Sequence, residues 1–328
     1  LFGRDNFRAT VARINTVRGP RLSTIDATAG LVGALGLLFI GACTVIPAYL
    51  LARLVAGPAS AMAAAALTAF IPSLVLFVPG IDQAVAFLGT TAVWFFVLAC
   101  KRASVPLSLA GGFALFLASM ITIGAAALFV LMAAYTVGEA GAKWGDRARR
   151  AGILGRLGRA LGAALAGVVV PFILLKLAYG YQAIAVAVNA KAVQGAIMRD
   201  WGRGYAPWLV VNLVDFAVFL SPAVAFAAGA WMAGRWRRAC RQRRLARADV
   251  LALAAFATLA IVDLSGTARG EVGRIWCLFM PYFAGLAAFR CTWPGQRGGV
   301  AFVVTLAGLQ VLQCVCTQSY LDLVKPSW

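Results

Sequence analysis

Histidine is absent from all 328 residues, and acids are scarce, with 11 Asp and Glu against 30 Lys and Arg. The first absence excludes His-centred catalytic triads and any Cys/His metal site. The second leaves nine Asp and two Glu as the whole stock of carboxylates for acid–base work. Charge of either sign is thin, at 12% of residues, where soluble domains carry about 25%. The seven cysteines form no C-x-x-C pair, so no zinc ribbon or dithiol redox motif is present. Residues 1–27 show no basic start followed by the apolar core of a secretory signal, and with Leu1-Phe2-Gly3 at its head the sequence reads as part of a longer chain.

Apolar residues make up 62% of the chain and the mean hydropathy is +0.87. Such a composition belongs to a polytopic membrane protein, and the length holds about nine or ten spans of roughly 20 residues with their loops. The net charge of +19 would suit nucleic acid only on the basic face of a soluble module. Here most cations sit between apolar runs, where they set orientation, so nucleic acid is not an expected partner. The expected fold is all-α: a polytopic transmembrane helix bundle of about ten spans. Some spans are shortened, and interfacial helices lie on the outer face. Residues 1–27 form an outer juxtamembrane amphipathic segment, and residues 28–328 the transmembrane helical domain.

In chain order, the expected spans begin with 28–52, where Pro47 is a possible kink. The next opens at Pro58 and is interrupted at Pro72, Pro79-Gly80 turns the chain, and 81–100 follows. Residues 105–138 would make a helix about 50 Å long, too long for one span, so two shortened helices meeting near Ile121-Thr122 are expected. A basic loop, 143–159, precedes a span at 160–179. Residues 181–204, apolar but broken by Asn189, Lys191, Gln194, Arg199 and Asp200, read as an outer interfacial helix. Residues 205–232 are one span, a second basic loop occupies 235–247, and spans at 250–264, 275–289 and 300–315 complete the chain. Placing both basic loops in the cytoplasm follows the positive-inside rule. That orientation gathers Asp5, Asp26, Asp82, Asp200, Asp263 and Glu271 on the outer face.

The densest of these stretches is DLSGTARGEVGRIWCLFMP, which places Asp263, Arg269, Glu271 and Arg274 within twelve residues. Ionisable groups at a membrane boundary are costly unless paired or wetted, so the cluster reads as a site. Glu271 and Arg274, three apart, either pair at a helix start or work together, with Arg274 and Arg269 gripping a phosphate while Glu271 orients it or a substrate hydroxyl. Asp82 is either a helix-start acid or a base facing an outer cavity. Asn212 and Asp215 are either a buried polar pair or substrate contacts, and Asp26 either caps the first span or acts in catalysis. No cofactor is demanded; a divalent cation at Asp82 is the one candidate metal.

The stretch IPAYLLARLVAGPASAMAAAALTAFIPSLVLFVPGIDQAVAFL resembles the third-to-fifth-span region of the C-class integral-membrane glycosyltransferases. That superfamily includes protein O-mannosyltransferases, aminoarabinose transferases and bacterial mannosyl- and arabinofuranosyltransferases. The Glu271-Arg274-Trp276 spacing is similar to an acid-x-x-Arg-x-Trp segment in bacterial members. The resemblance implies a polyprenyl-phosphate sugar donor, transfer to an unidentified acceptor hydroxyl on the extracytoplasmic side, and residence in a bacterial plasma membrane among its lipids. It also implies that Asp82 lies near the donor phosphate and any divalent cation, and that Glu271 and Arg274 lie in the donor-phosphate region. The family's catalytic aspartate follows its first span, which would precede Leu1; either the chain is a fragment lacking that base, or Asp5 or Asp26 stands in for it. The competing expectations are a transporter or lipid flippase, which would want midplane charges and an internal repeat, and a non-catalytic scaffold subunit. No repeat relates the two halves.

Overall fold

The computed structural model describes residues 23–142, 147–242, 245–291 and 299–323. The expected amphipathic segment, with Asp5, falls almost wholly outside the described residues. Among those described, every regular element is a helix. By length and composition five helices among the described residues are able to cross a membrane, or up to seven if each of two bent pairs is one span.

Helix α1 (Thr24–Cys43) starts four residues ahead of the expected span because Ser23 and Asp26 form a capping box. It continues after a break at Thr44 into α2 (Val45–Ala56), and the two make one apolar stretch, Ile25–Ala56. The break has a local cause, since Pro47 has no N–H to give to the carbonyl of Cys43. Pro58 and Pro72 open α3 (Pro58–Ala69) and α4 (Pro72–Leu76), as first-turn prolines do. Then come α5 (Asp82–Arg102), α6 (Val105–Ile121), a short 3₁₀ turn (Ile123–Ala126) and α7 (Ala127–Ala142). The two shortened helices thus meet at Thr122, whose hydroxyl accepts from the N–H of Gly124 at 3.3 Å.

Three expectations are corrected. Residues 147–159 are not loop: α8 (Arg147–Tyr179) is one helix of 33 residues, because the Arg, Ala and Leu of its first half are good helix formers. The span expected at 205–232 is divided at Ser221, with φ of 88°, into α10 (Tyr205–Leu220) and α11 (Pro222–Gln242), following α9 (Ala183–Asp200). Pro222 disfavours a helical conformation at Ser221 and supplies no N–H to the turn before it. The span expected at 275–289 is broken too. After α12 (Arg247–Leu264) comes the single turn α13 (Val272–Ile275), a 3₁₀ turn (Trp276–Leu278) and α14 (Met280–Cys291), with a 74° bend between the two parts. Pro281 lacks the N–H that would reach Cys277. The last helix is α15 (Gly299–Leu323).

Helix α14 lies at the centre, with Met280, Ala284, Leu286 and Ala288 fully buried. Phe283 meets Phe216 and Phe256 edge-on, with ring centroids 5.1 and 4.8 Å apart. By contrast α1, α8 and α15 turn Phe39, Leu174 and Leu312 outward, as lipid-facing helices do. Two ionic clusters lie at opposite ends of α12. Near its start Arg235 makes a bidentate pair with Asp249, and Arg247 lies 3.7 Å from Glu139. Asp263 stands about 21 Å further along the axis at 1.5 Å per residue.

Candidate functional site

The site grows from the last turn of α12. Asp263 is buried there and accepts from Nδ2 of Asn212 on α10 at 3.0 Å. The same amide donates to the carbonyl of Ala268 at 2.9 Å and accepts from the N–H of Gly270 at 3.2 Å. One buried side chain therefore pins both sides of the 265–271 loop to α10. The loop folds back through left-handed residues at Gly266, Gly270 and Glu271, with φ of 60°, 87° and 56°. Glycine adopts that region freely, whereas Glu271 carries strain of about 1–3 kcal/mol there.

The N–H of Gly273, in the first turn of α13, donates to Asp215 at 3.1 Å. Asp215 thus does from α10 what a local N-cap would do. Ser73 of α4 donates to the carbonyl of Gly273, and the ring of Phe219 fills the space where a Cβ would stand. These contacts fix the direction of Arg274.

Arg274 bridges two carboxylates. Its Nε lies 3.1 Å from Asp82 Oδ2 and its Nη2 3.0 Å from Glu271 Oε2. The three side chains are 49%, 23% and 40% exposed, so the cluster is open at one side. Asp82 makes no cap of α5; its carboxylate turns to Arg274 while its main-chain carbonyl accepts from the thiol of Cys277 at 3.3 Å. The Glu271–Arg274 pair read from the sequence forms, but at a single turn after a strained residue rather than at the head of a long helix.

Other candidates go elsewhere. Arg269 does not join Arg274: it donates from Nε to Gly266 O at 3.2 Å and from Nη1 to Arg203 O at 3.0 Å. Arg203 returns a bond to the carbonyl of Arg269. Sequence reasoning missed Arg203, whose only signal was a cation flanked by Trp201, Tyr205 and Trp208. Trp276 is buried against Phe216 as part of the core. Asp26 is held in its capping box with Ser23, its Oδ2 2.7 Å from the serine hydroxyl. Gly41 packs on Gln83, so Asp26 lies about 22 Å along the α1 axis from the neighbourhood of Asp82.

Among the described residues no group of three or more Asp, Glu or Cys is placed to hold a metal ion. With its carboxylate committed to a guanidinium, Asp82 offers a divalent cation a poor seat. What the arrangement can do is present one fork-shaped cation between two carboxylates on a partly exposed face.

No family model matches the chain, and no curated protein or solved structure matches it. The resemblance to C-class glycosyltransferases therefore rests on the residues alone.

Proposed function

We propose that the chain is part of a membrane glycosyltransferase that moves a sugar from a polyprenyl-phosphate donor to an acceptor hydroxyl on the extracytoplasmic side of a bacterial plasma membrane. In this reading its ten apolar segments all contribute to the membrane bundle, and α9 lies along the outer interface. The observation that carries the proposal is the Arg274 bridge between Asp82 and Glu271, at the end of α12 remote from Arg235 and Asp249.

The donor phosphate takes the Arg274 fork, which releases Asp82. Asp82 then accepts the acceptor's hydroxyl proton as its oxygen attacks the anomeric carbon. The bond from that carbon to the phosphate oxygen breaks, and its electron pair leaves with the polyprenyl phosphate, stabilised by the guanidinium. Glu271 orients Arg274. The scheme uses neither Asp26 nor a metal, because the guanidinium supplies the positive charge.

The test is turnover of a labelled polyprenyl-phosphate sugar by the purified chain and its Arg274→Gln variant. The expected result is a loss of at least a hundredfold in the variant at an unchanged melting temperature. Equal turnover by both proteins would remove the assignment.

A transporter is the second reading, favoured by the two bent helix pairs, Ala183–Asp200 with Tyr205–Leu220 and Val272–Leu278 with Met280–Arg290. Uptake into proteoliposomes without any sugar transfer would select it.

A further inference from the structure

We propose that Arg203 and Arg269 form a second anion site, separate from the Arg274 bridge, that takes a phosphate group. Arg203 lies in the turn between α9 and α10, and Arg269 in the loop between α12 and α13. Each guanidinium donates to the other residue's main-chain carbonyl, so two cations are held on facing segments. Like charges brought together this way repel unless an anion compensates them.

No carboxylate among the described residues pairs directly with either guanidinium. Asp82 and Glu271 pair with Arg274, while Asp263 and Asp215 keep their charge and accept from the neutral donors of Asn212 and Gly273 without bonding either guanidinium. Each arginine carries five N–H donors. Protein carbonyls take two from Arg269 and one from Arg203. Among the described residues no protein acceptor takes the rest.

The site is also shaped. The Arg203 guanidinium carbon sits 4.3 Å from the centre of the Trp201 ring and 5.1 Å from that of Trp208, and Arg269 lies 5.6 Å from Tyr205. Aromatic faces hold the guanidinium planes in place and leave their N–H edges free to grip. Gly270 allows the approach, since a Cβ there would collide with the Arg203 guanidinium. Planar, fixed forks with no direct carboxylate partner match the oxygens of a phosphate mono- or diester. That group arrives either on a lipid headgroup or on a water-soluble molecule.

The experiment uses the full chain in detergent, in an Arg274→Gln background so that the other cluster does not contribute. Calorimetric titration with dihexanoyl phosphatidic acid is one arm, inorganic phosphate the second, and dihexanoyl phosphatidylcholine the zwitterionic control. One equivalent of an anionic probe is expected to bind, with affinity falling at least tenfold on adding Arg203→Gln or Arg269→Gln. Binding in the lipid arm alone assigns a headgroup, and comparable binding in the phosphate arm assigns a soluble phosphate. No binding of either anionic probe, or binding that the glutamine variants leave unchanged, overturns the site. Should those variants fail to fold, ligand-induced tryptophan fluorescence decides. It is expected to vanish in the double Trp201→Phe, Trp208→Phe protein, and its persistence there would be equally fatal.

Discussion

At the scale of single residues, the conformation of Glu271 separates stability from function. Its left-handed backbone is one that glycine adopts without penalty, yet the position holds a glutamate whose carboxylate reaches Arg274. Glu271→Gly is therefore expected to raise stability by about 1 kcal/mol, since the strain removed exceeds what a half-exposed ion pair contributes. The same change is expected to lower transfer activity at least tenfold. Thermal unfolding and donor turnover on one preparation check both halves; a lower melting temperature would show that the backbone there is not strained. The sequence told part of this. The i,i+3 spacing of Glu271 and Arg274 is a local signal, and the pair forms. The partnership of Arg274 with Asp82 joins positions far apart in the chain, and nothing in either neighbourhood announces it. Arg203 was illegible for a similar reason, because its bonds run to main-chain atoms, which no side-chain pattern encodes.

At the scale of elements, apolar runs gave the helices well where nothing in them competes. The junction expected near Ile121-Thr122 falls at Thr122, and the helix expected from residue 81 begins at Asp82. Prolines were harder to read. Pro171 sits inside an unbroken α8, while Pro222 and Pro281 stand where helices divide. The same missing N–H operates at all three, and neighbouring packing decides whether the chain bends or breaks. The short helix α13 shows such packing. It closes on α10 only because Gly273 has no side chain, and the Phe219 ring lies across the gap. Gly273→Ala must push α13 away from α10, straining the bonds to Asp215 and Ser73. The expected cost is about 1–3 kcal/mol, read as a lower melting temperature. Binding of the donor should weaken with it, since Arg274 is the next residue. An alanine variant with wild-type stability would mean that the ring swings aside without cost.

At the scale of the whole molecule, two ionic clusters lie at opposite ends of α12, and the proposed topology sets them on opposite sides of the membrane. At one end the buried Asp249 and the partly buried Arg235 form a bidentate pair with the character of a clasp between α11 and α12. Arg235→Ala leaves Asp249 at 4% exposure without that partner, which is expected to cost about 3–5 kcal/mol. The double change Arg235→Met with Asp249→Leu should recover most of the loss, because replacing both members of a buried pair is far cheaper than removing one. Thermal unfolding of the three proteins checks this, and a double variant no better than the single would mean that the clasp is not the source of the loss. The Arg274 bridge at the other end is partly exposed, as the proposed donor site requires. About 21 Å of helix separates Asp249 from Asp263, less than a hydrocarbon core of about 30 Å, but flanking segments extend both ends. Thr267 and Arg237, both exposed, should then face opposite compartments. In a background lacking the native cysteines, Thr267→Cys in intact cells is expected to react with a membrane-impermeant maleimide. Arg237→Cys is expected to react only after the cells are opened. Labelling of both from the same side would place the Arg274 bridge and the basic end of α11 in one compartment, and a donor phosphate held outside by this site would then be impossible.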